Sequence, residues 1–328
     1  MITLDEIRRP IGELLEEFDQ FIGEHFTTDG DLLAEMLHHA LSARGKGVRP
    51  MLVFLSALLH TGERSRVGRR SHIAAMLVEM IHTASLIHDD VIDEADERRG
   101  RPSANALWQS RNAVILGDYI LARNMSIGLE SGQFDLVTHI TRAMTTLCEG
   151  EVLQSESARR KIVSRERYLD VIRRKTASLL AVSASAGALS VGATPQEVER
   201  MHCVGEALGM AFQIQDDVLD YLREAETGKP KNNDLREGKI TLPLLHVLEH
   251  ASEERRAELL ERLTACHSDD GAVEYLQTVV EGCGGLEEAR RVMEEYITRA
   301  LHLLREYEPS PAREGLEKLA RFIGERLS

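Results

Sequence analysis

The chain has 328 residues, 43% of them hydrophobic but only 4% aromatic, with 40 basic and 54 acidic side chains giving a formal net charge of −14. That length can bury a large core, while so acidic a balance excludes a general phosphate-backbone surface, so an anionic ligand must meet a local inversion of charge. The four cysteines, Cys148, Cys203, Cys266 and Cys283, show no Cys-x-x-Cys spacing, which points to reduced thiols rather than a zinc site or a disulfide framework.

Apolar residues recurring three and four apart predict helices along almost the whole chain. The first, over 4–24, begins in MITLDEIRRPIGELLEEF, which lacks the apolar core and cleavage site of a signal peptide. No later run reaches the ~18 apolar residues that span a bilayer, so a cytoplasmic protein without transmembrane segments is expected. Helices over 29–40 and 47–61 follow, and RGKGVRP at 44–50 puts Lys46 and Arg49 on one face of a helix start, where backbone N–H groups favour anions. The helix over 68–93 is apolar around much of its circumference, as in IAAMLVEMIHTASLIH at 73–88, and so belongs inside a bundle. It ends in HDDVIDEADERRG at 88–100, with Asp89, Asp90 and Asp93, then Arg98 and Arg99.

Helices over 104–128, 132–156 and 165–190 come next, the last holding Lys175 and Thr176 within RRKTAS. Thr194-Pro195 caps the helix over 195–222, which ends in QDDVLDY and so repeats the acidic core at Asp216, Asp217 and Asp220. GKPKNNDLREGK at 228–239 then supplies Lys229 and Lys239. Helices over 240–250, 253–266, 270–281, 283–307 and 311–326 complete the pattern. No alternating β-branched run and no Gly/Ser/Pro-rich linker interrupts it, so an all-α, single domain over 1–328 is expected.

Asp89 and Asp93 share a helical face, as do Asp216 and Asp220, with Gln213 near one turn before. Carboxylates gathered at a helix C-terminus repel one another and the dipole. A solvated helix end does not account for them, because each cluster follows an apolar run, LIH or AFQIQ. A glycosidase-type dyad needs one carboxyl isolated in an apolar pocket, and an EF-hand loop needs glycine at the sixth position, where this chain has Glu94. Paired carboxylates on rigid helices suit Mg²⁺, which keeps waters and completes its shell with phosphate oxygens. Arginine pairs phosphate oxygens bidentately, and the basic sets outnumber what one phosphate needs. Two phosphorylated ligands are therefore expected, one held through Mg²⁺ and one held directly, with a hydrocarbon in the apolar interior.

The ordered series GKGVRP, EMIHTASLIHDDVIDEADERRG, GDYILAR, KTASLL, FQIQDDVLDY and DLREGKITLPLL resembles the trans-isoprenyl diphosphate synthases of the polyprenyl synthetase family. The likeness covers nearly the whole chain and runs nearest to the bacterial octaprenyl diphosphate synthases. It implies a helical isoprenoid-synthase bundle around an apolar cavity, two or three Mg²⁺ ions per site, a homodimer, and condensation of isopentenyl diphosphate with an allylic diphosphate. By motif it implies Asp89, Asp93 and Asp216 as metal ligands, with Asp90, Asp217 and Asp220 beside them. It further implies Arg98, Lys175, Thr176, Gln213, Lys229 and Lys239 on the allylic diphosphate, and Lys46, Arg49, His82 and Arg99 on isopentenyl diphosphate. His88 and Asp118 stand as supporting residues. One departure is Asn232-Asn233 before Asp234, where the family commonly has glycine then Asp or Asn; asparagine tolerates left-handed backbone.

Product length is expected to follow the residues beneath the first cluster. Ala84 and Ser85, five and four before Asp89, are small and let a tail pass; Ile81, Met80 and Leu77 are candidate walls, and Met125, Phe134 or Ile140 a candidate floor. A class I terpene cyclase would want an aromatic-lined pocket and a different second metal motif. A non-catalytic subunit of a heteromeric synthase would have lost aspartates or basic residues, and both sets are complete here.

Overall fold

The computed structural model of the chain describes residues 2–42, 45–222 and 232–325. Thr3 and Glu6 form a reciprocal capping box that opens α1 (Leu4–Arg8). Pro10 then imposes a 3₁₀ turn at Arg9–Ile11, so the helix expected over 4–24 is split, and α2 (Gly12–His25) continues it. α3 (Asp31–Ser42), α4 (Val48–Thr61) and α5 (Arg69–Ile92) follow. α5 is buried nearly all round from Ser71 to Ala84, which explains its continuous apolar sequence.

The all-α class holds, with one short ribbon after α5 that the periodicity did not announce. β1 (Glu97–Arg98) pairs antiparallel with β2 (Arg101–Pro102). Arg99 at φ +56° and Gly100 at φ +72° supply the two left-handed residues of its turn, the pattern a two-residue hairpin with the right twist demands. This ribbon lifts Arg98 and Arg99 off the helix axis.

α6 (Ala104–Glu130) starts on a Ser103 cap and is broken at Gln109, whose φ 65° and ψ 159° are not helical. α7 (Phe134–Arg160) and α8 (Arg165–Ile172) lead to α9 (Ser178–Ser190). The single helix expected over 165–190 is interrupted by a π turn at Arg173–Ala177. That turn is wedged between two helices: a Cβ on Gly150 of α7 would lie 2.6 Å from the Lys175 amide nitrogen, and one on Gly209 would lie 2.5 Å from Ala177 Cα. Only hydrogen fits in either place, and π turns recur at functional sites.

α10 (Pro195–Leu222) packs against α9 on one side and α15 (Gly285–Leu304) on another. α4 and α5 cover other faces of α9, whose residues from Leu179 to Ala188 are all buried. α11 (Asn233–Arg236) is a short helix that periodicity did not announce, and Asn232 before it is left-handed, φ 55° and ψ 46°. α12 (Leu242–His250), α13 (Glu253–Ala265), α14 (Asp270–Gly282) and α16 (Pro311–Glu325) close the bundle. No described helix is long and apolar enough to cross a membrane.

Candidate active site

The two long helices α5 and α10 each end in an aspartate cluster, and neighbouring aspartates meet different surroundings because each residue turns the helix by ~100°. Asp89 is half-buried. Burial pushes its carboxyl up to about 6, reinforced by Glu151 and Asp93, although Lys175 and Arg98 pull the other way. Asp93 caps α5 and is exposed. Asp90, expected beside the metal ligands, is only 3% exposed. Its Oδ1 accepts from Arg98 Nε at 2.8 Å and from Arg98 Nη2, so it holds the arginine in place.

The second cluster divides in the same way. Asp216 is half-buried. Asp217 is buried and accepts from Tyr168 Oη at 2.6 Å and Gln213 Nε2 at 2.8 Å. Gln213 Oε1 in turn accepts from Thr176 Oγ1 at 2.6 Å. Burial and the adjacent Asp234 hold the Asp217 carboxyl well above the carboxylate range. Asp220, also buried, accepts the Asp234 amide at 3.0 Å through Oδ2. Asp217 and Asp220, expected beside the metal ligand Asp216, bond to Tyr168 of α8 and to the Asp234 amide of α11.

Lys175 donates to Glu151 Oε2 at 2.8 Å and Gln154 Oε1 at 2.7 Å. Glu151, Gln154, Tyr168 and Asp234 were not singled out in the sequence; Glu151 and Gln154 lie three apart on α7, a spacing common to any helix. Lys239 pairs with Glu237, and its Nζ lies 3.7 Å from Asp234. Burial opposes its charge, but Asp234, Glu237 and Asp93 outweigh that and raise its pKa. The field of Asp93 on Lys239 ties the first motif to the loop after the second. Lys229 lies outside the described residues. His88 Nε2 and Asp118 Oδ1 approach to 3.5 Å.

The remaining cations gather around His82, two turns before Asp89 on α5. Burial pushes Arg49 down to about 10, with Arg99 adding to the effect and Glu79 opposing it. Its Nε is buried without a hydrogen-bond partner. Burial and the charges of Arg49, Arg99 and Arg98 keep His82 well below the ordinary histidine range, hence neutral. Lys46 lies over the Phe322 ring at 5.6 Å, while its carbonyl accepts from Arg8 Nη2 at 2.8 Å. A cavity of about 480 Å³ opens beside these groups, lined by Lys46, His82, Arg98 and Arg99 among others.

Beneath Asp89, Ala84, Ile81 and Leu77 are buried, and the Ser85 hydroxyl donates to the His82 carbonyl at 2.9 Å. Two of the length-setting candidates sit apart from these. Met80 lines the cation-side cavity, since nine residues from Asp89 bring it ~180° round the helix. Phe134, first residue of α7, is 64% exposed rather than a floor. Ile140 is fully buried and Met125 packs against the core.

Metal fit follows from the donor chemistry. Asp89, pressed by Glu151 and Asp93, and Asp216, which presses on Asp217, are hard oxygen donors whose crowding a divalent cation would relieve. Among the described residues no three His, Cys, Asp or Glu side chains form a metal cage, and Mg²⁺ asks the protein for only one or two carboxylates.

A helical bundle with two acidic helix ends and a separate cationic pocket defines the chain-elongating prenyltransferase class. The chain belongs to the polyprenyl synthetase family, which its residues 30–280 match. It is 37% identical over 295 residues to heptaprenyl diphosphate synthase component 2 of Geobacillus stearothermophilus, covering 90% of each chain. To octaprenyl diphosphate synthase of Escherichia coli K12 it is 34% identical over 328 residues, covering 99% of each. Among solved structures, it matches a polyprenyl synthase of Caulobacter crescentus complexed with calcium and isoprenyl diphosphate: TM-score 0.90, 31% identity, coverage 100% and 99%. A decaprenyl diphosphate synthase of Rhodobacter capsulatus matches with TM-score 0.91 and 33% identity, coverage 99% and 100%.

Proposed function

We propose that this chain, as one domain over 1–328, condenses isopentenyl diphosphate with an allylic diphosphate into a medium- or long-chain all-trans polyprenyl diphosphate. The observation that carries the reaction is the pair of charge environments along α5: Asp89 and Asp93 crowd one another at its end, and two turns earlier, near the same face, neutral His82 lies beside Arg49 and Arg99. Asp89, Asp93 and Asp216 are the residues that would hold Mg²⁺, two or three ions per site. When bound, the metal would neutralise the allylic diphosphate and stabilise it as a leaving group. The calcium in the Caulobacter relative supports a hard divalent ion.

The protein's own groups position and exclude. Lys175, held by Glu151 and Gln154, offers a fixed ammonium to the allylic diphosphate, with Thr176 and Gln213 tethered to Asp217 beside it. Arg98 and Lys239 add charge at the mouth. Arg49, Arg99 and Lys46 take the isopentenyl diphosphate, and neutral His82 adds hydrogen bonding without another charge. The buried α5 face below Asp89 keeps water from an allylic cation. The proton lost after carbon–carbon bond formation passes to the released diphosphate, so the chain needs no general base; catalysis is positioning and electrostatic stabilisation.

Val114, Ile115 and Leu129 of α6 and Phe134 of α7 are exposed, an apolar surface that supports a homodimer. The same surface would serve a heteromer, the arrangement that the name component 2 of the Geobacillus relative suggests. Incubating the purified chain alone with both diphosphates, in Mg²⁺ or in EDTA, decides the matter. Elongated product in Mg²⁺ only is expected; no product from the chain alone overturns autonomous synthesis, and a cyclised hydrocarbon overturns chain elongation.

A further inference from the structure

His246 and His250 are the only histidines in the sequence that stand four residues apart. Both lie near the end of α12, where a four-residue step returns to the same helical face. Their ring centroids are 4.4 Å apart, with an interplanar angle of 45°. His250 Nδ1 lies 2.8 Å from the His246 carbonyl oxygen. A carbonyl only accepts, so that nitrogen carries the ring proton and Nε2 keeps a bare lone pair. A ring N–H tied to a backbone carbonyl is also the arrangement that orients metal-bound imidazoles. His246 Nδ1 is turned inward, buried and without a partner, which leaves Nε2 as the nitrogen that this ring can offer to a ligand.

An ion bound by both Nε2 atoms at ~2.1 Å, with an angle of ~90–109° between them, needs those atoms about 3.0–3.4 Å apart. Rings at the observed centroid separation can take up that span. The surroundings favour a cation. α12 ends at His250, where the last carbonyls of a helix carry partial negative charge. Glu249 and Glu288 add a negative field at His246; Arg165 opposes it, and by bonding both carboxylates keeps them from the ion. Among the described residues no third His, Cys, Asp or Glu completes a cage, so water takes the remaining positions. Two imidazoles with water suit Cu²⁺ or Ni²⁺, whereas Mg²⁺ and Ca²⁺ take oxygen ligands.

We propose that His246 and His250 form a two-imidazole chelate for a late first-row divalent metal, Cu²⁺ or Ni²⁺, at the end of α12 and separate from the aspartate clusters. The bound ion clips the last turn of that helix. Nothing in this site depends on the prenyl-transfer function.

Ni²⁺ is the probe, titrated calorimetrically into the full chain without an affinity tag, in excess Mg²⁺ so that oxygen-ligand sites are filled. Wild type is expected to bind about one equivalent in the micromolar range. His250→Ala, at an exposed position, is expected to weaken Ni²⁺ by about tenfold or more, and His246→Gln by a similar factor. His38→Ala removes an exposed histidine of α3 and is expected to stay within about threefold of wild type. If His246→Gln unfolds the chain, His250→Ala carries the test alone. Ni²⁺ should raise the thermal midpoint of wild type but not of His250→Ala. With Cu²⁺ in place of Ni²⁺, the electron paramagnetic resonance spectrum should show coupling to two ring nitrogens. Ni²⁺ affinity indifferent to His250→Ala in a folded variant, or lost as Mg²⁺ is raised, overturns the site. Coupling to a single nitrogen overturns the chelate.

Discussion

Adjacent aspartates in one motif meet different neighbours. Asp89 faces Glu151 and the site, while Asp90 is spent on Arg98. Asp89→Ala is expected to cut turnover by about a hundredfold or more, the scale of losing a group that stabilises charge in the transition state, with the helical circular dichroism unaltered. Unchanged turnover would remove Asp89 from the metal site. Tyr168 tests the frame. Its hydroxyl is the buried donor to Asp217, and Tyr168→Phe should destabilise the fold by about 1–3 kcal/mol in urea unfolding, the cost of leaving a buried acceptor short of a partner.

Elements carry strain and charge that single residues do not explain. Gln109 holds φ 65° and ψ 159° inside α6, a region that glycine occupies without penalty and other residues at about 1–3 kcal/mol. Gln109→Gly should therefore raise the thermal midpoint, and a lowered midpoint would show that the glutamine side chain stabilises the kink. α8, α12 and α15 are joined by Arg165, which bonds Glu249 and Glu288. Glu288 is held down at about 2 from its ordinary 4.5, first by the Arg291 hydrogen bond and also by Arg165. A carboxyl depressed in the folded state lends stability above its unfolded pKa and loses it as pH falls through that value toward about 2. Because Arg291 is 56% exposed, solvent screening leaves about 1 kcal/mol at most. Thermal melts from neutral pH to pH 3 should show a shallower acid loss in Glu288→Gln than in the wild type. On α5, Ala84→Phe should shorten the product by placing a ring one turn below Asp89, and an unchanged product ladder would show that tails pass elsewhere.

At the scale of the molecule, the exposed apolar sector of α6 is the part the isolated bundle leaves unexplained. Val114, Ile115 and Leu129 fall within about 100° of helix surface, and Phe134 follows at the start of α7. Sedimentation velocity should find a dimer at micromolar concentration, and Ile115→Asp should shift it toward monomer; a monomeric wild type would assign the sector to a different partner.

The sequence by itself determined the helical class, the long buried helices and the two acidic clusters, because helical periodicity and like-charge crowding are local properties of the chain. The left-handed backbone at Asn232 agrees with the tolerance expected of the Asn232-Asn233 pair, since asparagine enters that conformation more readily than most residues. The tertiary structure alone decided which aspartates are buried against Arg98 and Tyr168, that Met80 lines the cation-side cavity, and that Glu151 and Gln154 hold Lys175. Those outcomes depend on which neighbour covers each 100° sector of a helix, and the π turn at Arg173–Ala177 depends on Gly150 and Gly209 crossing it from two other helices. Contacts of that kind join residues far apart in the chain, where no local spacing records them.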